Sequence, residues 1–226
     1  MQYDPIKRSL GNVFNKSPFL RVTFYKLLDL LLLRAWHIHK ELRSWASNKK
    51  GQEAHIFDAG AGFGQYTHHL SEMDSNWKIL AADVKEEQVE DCNLFFKEIG
   101  KDNQVRFEVQ NLVTYKKPGA YDLVVCVDVM EHIEEDVQVM TNYCESLKEG
   151  GMLLISTPSD QGGSDVHEET GESFIDEHVR DGYNLEEIQD KLHDAGFSRV
   201  DARYSYGSPG KISWKLSMKF PLTILN

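Results

Sequence analysis

Two apolar patterns alternate along the chain. Short dense runs, Ala54-His55-Ile56-Phe57, Trp77 to Ala82, Val105 to Val109, Tyr121 to Val127 and Met152 to Ile155, stand between longer segments with helical spacing. Runs this short, rich in Val, Ile and aromatics, read as strands, and the segments between them as crossover helices. Gln65 to Met73 and Asn184 to Gly196 are the clearest helices, and another begins near Lys85. Strand and helix in strict alternation predict an α/β fold, a doubly wound and mostly parallel sheet with helices on both faces. A sixth strand is expected over Ser198 to Tyr206, giving about six parallel strands.

The ends differ from this body. Pro18 to about Trp45 reads as one long helix rich in Leu and aromatics, with Lys26, Asp29, Lys40 and Arg43 on a shared face and Arg34 off it. Its charges recur too often for a membrane span of about 20 apolar residues. It is either a cap over a ligand pocket or an interfacial helix that collects an apolar acceptor. The last residues, Lys211 to Asn226, are basic and apolar. Leu222 to Leu225 supplies a short last strand, or a partner covers the sheet edge, or the chain is a shortened one. The expected organisation is an N-terminal helical arm over 1–50, a ligand-binding domain over 51–206 and a tail over 207–226.

The most specific local signal is Asp58-Ala59-Gly60-Ala61-Gly62-Phe63-Gly64, between the first strand and the first crossover helix. Alternate glycines let a ligand lie against the backbone, and the helix start behind them offers free N–H groups to an anion. A dinucleotide fingerprint is G-x-G-x-x-G. Here the third glycine comes one residue early, and Gln65 stands in its place. Asp83 ends the second strand 19 residues after Gly64, close to the offset of about 20 expected for a carboxylate that accepts from ribose hydroxyls. It is equally placed to cap the helix that follows.

In these motifs the chain resembles the class I S-adenosylmethionine (SAM) methyltransferases, over roughly residues 52 to 205 and five motifs in order. The carriers are the D-x-G-x-G-x-G turn, Asp83 after strand two, Gln110-Asn111-Leu112 after strand three, Asp128-Val129-Met130-Glu131-His132 after strand four, and Gly150-Gly151 to Pro158 around strand five. The resemblance implies a Rossmann-like fold and SAM as cofactor, with S-adenosylhomocysteine as product. It assigns Asp58, Gly60, Gly62 and Gly64 to the methionine and ribose cradle, Asp83 to the ribose, and Asn111 and Leu112 to the adenine, with Val84 beside Asp83 in the cofactor set. Many members carry Asp where this chain has Asn111. Val127 and Asp128 complete the cofactor set.

Asp128-x-x-Glu131-His132 also resembles the E-x-x-E-H motif of ubiquinone-biosynthesis and small-RNA O-methyltransferases. There, with a later His, it holds a divalent metal near the acceptor hydroxyl. His178 is the later candidate here. The alternatives are that His132 serves as base or orients the acceptor, or that the residues are structural. Glu131, His132 and His178 are thus the expected catalytic group, and a divalent metal is the lesser expectation. The expected reaction is methylation of a small molecule, at oxygen before carbon or nitrogen. The rival readings are a lipid or quinone-like acceptor at a membrane surface, and a SAM-binding subunit without catalysis.

Charge and composition narrow the partners. Of a net charge of −11, residues 1–50 carry +7, residues 51–202 carry −22 and residues 203–226 carry +4. So acidic a body disfavours nucleic acid, whose phosphates each call for a cation. The basic ends suit either an anionic membrane surface or the body itself. Cys92, Cys126 and Cys144 form no C-x-x-C pair, and the first residues have no apolar leader. Both point to a reduced, cytoplasmic setting, with peripheral membrane contact left open. The acidic stretch Ser159 to Glu177 is a solvated loop or a lid over the acceptor pocket.

Overall fold

The computed structural model describes residues 17–161, 179–180 and 182–205. Within them the chain forms α1 (Pro18–Leu31), α2 (Leu33–Ser47), β1 (Ala54–Ala59), α3 (Gln65–Met73), β2 (Trp77–Asp83), α4 (Glu86–Glu98), β3 (Val105–Val109), β4 (Tyr121–Val127), α5 (Asp136–Ser146), β5 (Leu147–Ser156) and α6 (Leu185–Asp194). A single turn of 3₁₀ helix, Met130–His132, follows β4.

The strands form one sheet in the order β3-β2-β1-β4-β5, and every pairing is parallel. Successive residues on a strand point to opposite faces, so the core divides in two. Ile56, Leu123 and Val125 face a cluster with Tyr25, Ile38 and Leu42 of the N-terminal helices, Leu70 of α3, and Val89, Phe95 and Phe96 of α4. Their neighbours Phe57, Val124 and Cys126 face Val139, Met140 and Tyr143 of α5 and Ile188 of α6. β4 is buried on both faces almost throughout, which explains its unbroken apolar run.

The chain starts in mid-sheet at β1, winds outward through β2 to β3, then returns to β4 on the other side of β1. Such a reversal opens a crevice at the carboxyl ends of the two central strands. β1 and β4 end there, in the glycine turn and in the Asp128-to-His132 turn.

Two expectations are corrected. The long N-terminal helix is two helices, because Leu32 adopts an extended conformation between them (φ −90°, ψ 109°). No Pro or Gly marks the break. Pro18 stands at the start of α1, behind the Ser17 cap, whose hydroxyl accepts from the Leu20 N–H at 3.3 Å. At the break, the Trp36 indole N–H donates to the Asp29 carbonyl at 2.6 Å, satisfying an acceptor that a continuous helix would have used. Two shorter helices wrap the body where one rod could not. The sixth strand is absent among the described residues: 198–205 form no ladder, although exposure alternates along 201–205. The alternation is that of a strand, but alternation does not supply a hydrogen-bonded neighbour. Residues 207–226, with the proposed last strand, lie outside the described residues, as does Tyr206.

Candidate cofactor and acceptor site

At the end of β1, the glycine turn takes left-handed backbone at Gly60 (φ 73°) and Gly62 (φ 54°). The two glycines serve different ends. A Cβ on Gly60 would lie 2.3 Å from the Val129 Cγ2, so this residue lets the β1 and β4 turns touch. A Cβ on Gly62 would meet nothing within 4 Å, so its backbone faces open space where a ligand can approach. Gly64 caps α3 and backs onto Phe96 and Phe107.

Asp83 holds this turn from the end of β2. One carboxylate oxygen accepts from the Gly62 N–H at 3.0 Å and the other from the Lys85 N–H at 3.0 Å. Each oxygen keeps a further lone pair, so the same group can accept from a ligand hydroxyl. Val84 beside it is exposed.

Asp58 is not on the open side. It is buried, accepts from the Thr67 hydroxyl at 2.5 Å, and ties β1 to α3. Burial pushes its carboxyl up to about 6. Asn111 is exposed and uses its side-chain oxygen to accept from the Val113 N–H at 3.0 Å, closing the turn after β3. Leu112 is buried in the α5 side of the core, and its carbonyl accepts from the Asn142 amide at 3.0 Å.

The β4 turn is built from side chains. Val127 is half-buried at the strand end. Asp128 is the one non-glycine described residue with positive φ (53°), and its N–H donates to the Ser156 carbonyl at 2.8 Å. Left-handed backbone at a residue other than Gly is a strained state that a functional position often keeps. Its carboxylate pairs with Arg34, which comes from α2. Glu131 is 1% exposed and accepts from the Thr157 hydroxyl at 3.1 Å. Burial, followed by the negative charge of Asp128, raises its carboxyl to about 7. His132 is exposed at the surface of the turn. Behind it, buried Asp136 gathers Arg180, the Tyr183 hydroxyl (2.8 Å) and Lys191 (2.6 Å), and Arg180 also donates to the Ile133 carbonyl at 2.5 Å. That network fixes the turn that carries Glu131.

The N-terminal helices reach both turns. The Arg21 guanidinium is buried in an ion pair with Asp91 (2.6 Å) and donates to the Phe63 carbonyl at 2.8 Å. The Tyr25 hydroxyl donates to the same carbonyl. Arg34 meets Asp128. The arm therefore packs on the cradle.

Sequence reasoning missed Arg21, Tyr25, Arg34, Thr67 and Thr157. Their roles come from contacts between distant segments, for which the chain carries no motif. The structure brings the glycine turn, Asp83, Val127 and Asp128 to one crevice, with Glu131 and His132 at its β4 side. It does not assemble a metal centre from Asp128, Glu131 and His132: the first is paired with Arg34, the second is held by Thr157 and the third is exposed. His178 lies outside the described residues. Among the described residues the metal-competent cluster is elsewhere, at Asp29, His39 and His69.

The residues present are compatible with a ligand that carries ribose hydroxyls. The open backbone at Gly62 and the half-buried carboxylate of Asp83 provide an unobstructed approach and a hydroxyl acceptor at adjacent strand ends.

Residues 57–153 match the family described as a methyltransferase domain. The ubiquinone biosynthesis O-methyltransferase of Rickettsia conorii is 32% identical over 103 residues, which is 45% of this chain and 34% of that protein. Its namesake in Xanthomonas euvesicatoria is 28% identical over 106 residues, or 46% of this chain and 43% of that one. The matches thus span less than half of each relative. Among solved structures, the YcgJ protein of Bacillus subtilis superposes with a TM-score of 0.60 at 22% identity, covering 83% of this chain and 84% of that one. The cyclase SpnF gives 0.66 at 17% identity, over 82% and 67%. Phosphoethanolamine N-methyltransferase 2 of Haemonchus contortus, solved with SAM, gives 0.58 at 16%, over 82% and 44%. These three likenesses are of fold, and one fold carrying a cyclase and an N-methyltransferase does not name a reaction.

Proposed function

We infer that this chain, whose residues 57–153 match a methyltransferase domain, is a SAM-dependent methyltransferase that transfers a methyl group to a small-molecule acceptor, at a hydroxyl oxygen. The single observation that carries the choice of oxygen is Glu131. It is a buried carboxyl, raised to about 7, beside the β4 turn where the acceptor is expected. A hydroxyl nucleophile must lose a proton as it attacks, and a base is most effective when its pKa lies near the working pH. The curated relatives named as O-methyltransferases agree in kind.

SAM supplies an electrophilic methyl on a sulfonium when bound. Gly60, Gly62 and Gly64 shape its seat, Asp83 and Val84 take the ribose, and Asn111 and Leu112 border the adenine. Val127 and Asp128 close the seat from β4. His132 orients the acceptor from the surface of the turn, and Glu131 takes up its proton through the Thr157 hydroxyl that donates to it; His178 is the remaining proposed member of the catalytic group. Alignment of the two reactants, with water excluded, is worth about 7–11 kcal/mol of barrier.

Titration calorimetry with SAM and S-adenosylhomocysteine, followed by turnover on pools of phenolic and catecholic acceptors, tests this reading. Micromolar binding and methyl ethers as products are expected. Binding without turnover on any pool would leave a SAM-binding subunit as the better description. No binding would remove the cofactor.

A second reading concerns where the acceptor is met. Phe19 (77% exposed), Leu30 (65%) and Trp36 (54%) stand open on the arm helices, in a segment with excess positive charge. Exposed apolar groups beside basic residues suit the interface of an anionic bilayer and a lipid or quinone-like acceptor. No described helix is long and apolar enough to cross a membrane. Co-sedimentation with anionic and neutral liposomes decides it. Salt-sensitive binding to the anionic vesicles is expected, and absence of binding to both at low salt would sink it.

A further inference from the structure

A second polar centre lies away from the cradle, where three helices meet. Asp29 lies in the last turn of α1, His39 in α2 and His69 in α3. One ligand atom from each falls within 4.8 Å of the others. The two imidazoles stack with centroids 3.5 Å apart and planes 6° from parallel. The His39 Nε2 is 3.4 Å from the Asp29 Oδ1. Both Nε2 atoms, on His39 and His69, are buried and make no hydrogen bond, the first having only the Asp29 carboxylate beside it and the second none. A buried nitrogen without a partner forfeits its solvation, and two side by side are rare without a reason.

The surroundings add an orienting partner and a way in, with Arg43 near both rings and Lys26 and Lys101 in the cleft wall as the opposing charges. Gln65 donates to the Asp29 Oδ1 at 2.7 Å, as an outer partner orients a ligating carboxylate. A cleft of about 460 Å³ includes Asp29, His69 and Glu72 in its wall and gives solvent a route in. None of its lining residues belongs to the glycine turn or the β4 turn.

We propose that Asp29, His39 and His69 form a binding site for a divalent transition ion, Zn²⁺ foremost, that joins the N-terminal arm to α3. Two imidazole nitrogens and one carboxylate oxygen suit Zn²⁺, with bonds of about 2.0–2.2 Å and a fourth position left for water. Tetrahedral bonds of that length set ligand atoms about 3.3 Å apart. The three must therefore close on one another from their present spread, and the rings must slide out of register. The ion would bind all three helices at once. It is separate from the Asp128-to-His132 turn and does not depend on the proposed reaction.

The test uses the full chain, stripped with chelator and dialysed. Co²⁺ titration should give one equivalent with the visible absorption of a four- or five-coordinate ion, and Zn²⁺ should displace it and raise the melting temperature. His39→Gln and His69→Gln should each weaken Co²⁺ binding by more than the roughly 10–100-fold that loss of an outer-shell partner costs. His55→Gln, at an exposed position on β1, should not. No visible Co²⁺ band in the wild-type chain would overturn the proposal even if a variant failed to fold. So would an unchanged melting temperature with Zn²⁺, or equal loss of binding in His55→Gln.

Discussion

The turns after β1 and β4 lie side by side in one crevice and are made differently. The β1 turn reaches left-handed backbone with glycines and presents main chain. The β4 turn reaches it with Asp128, whose carboxylate pairs with Arg34, and keeps a second carboxyl, Glu131, buried behind it. A backbone surface accepts a ligand by shape and N–H groups, so side chains there are a hindrance. A side-chain surface can move protons, so burial and charge there set the chemistry. The contact between Gly60 and Val129 makes the two turns one site.

That contact is where the comparison breaks most severely. Gly60→Val would put a branched side chain against Val129 in a backbone region that β-branched residues avoid. Loss of measurable SAM binding by calorimetry is expected, with a fall in stability of about 3 kcal/mol or more in denaturant titration. Gly62→Ala has no such collision, and a much smaller loss of stability would show that the two glycines do separate jobs.

Next in size is Glu131→Gln. Turnover should fall on the order of 100-fold, with SAM affinity nearly unchanged. In the wild type, activity should rise as pH passes through about 7, and the variant should lose that rise. Stability has the opposite slope. A carboxyl raised in the fold holds its proton better when folded, so its contribution is greatest below the ordinary 4.5 and is lost as pH climbs to about 7. Above that pH the Gln variant should be the more stable by about 3 kcal/mol in chemical denaturation. A flat difference across pH would remove Glu131 as the titrating base.

Asp83→Asn sharpens the other side. It keeps an acceptor for the Gly62 or Lys85 N–H but gives up the charge and one oxygen. About 10-fold weaker SAM binding is expected, with turnover at saturation little changed, since charged hydrogen bonds are worth about 1.5–3 kcal/mol. An equal loss in both quantities would place Asp83 in the chemistry and not in the seat.

The strand-helix alternation, the glycine spacing, Asp83 and the Asp128-to-His132 stretch were legible because each depends on near neighbours. Glycines mark left-handed backbone, and an acid at a strand end marks a turn. The roles of Asp58 and Asn111 were harder. Both are acceptors near the cradle, but which atom accepts what depends on Thr67 and Val113, and Asp58 proved to be a buried tie between β1 and α3.

By itself, the sequence determined an α/β sheet, a turn of left-handed glycines after the first strand, and acids grouped after strands two and four. Those follow from local sterics and periodicity, which act over a few residues. Only the tertiary structure decided the break at Leu32 amid four leucines, the fall of Arg34 onto Asp128, the burial that lifts Glu131, and the meeting of Asp29, His39 and His69. Each depends on segments far apart in the chain being pressed together, and desolvation and charge pairing act only once they are.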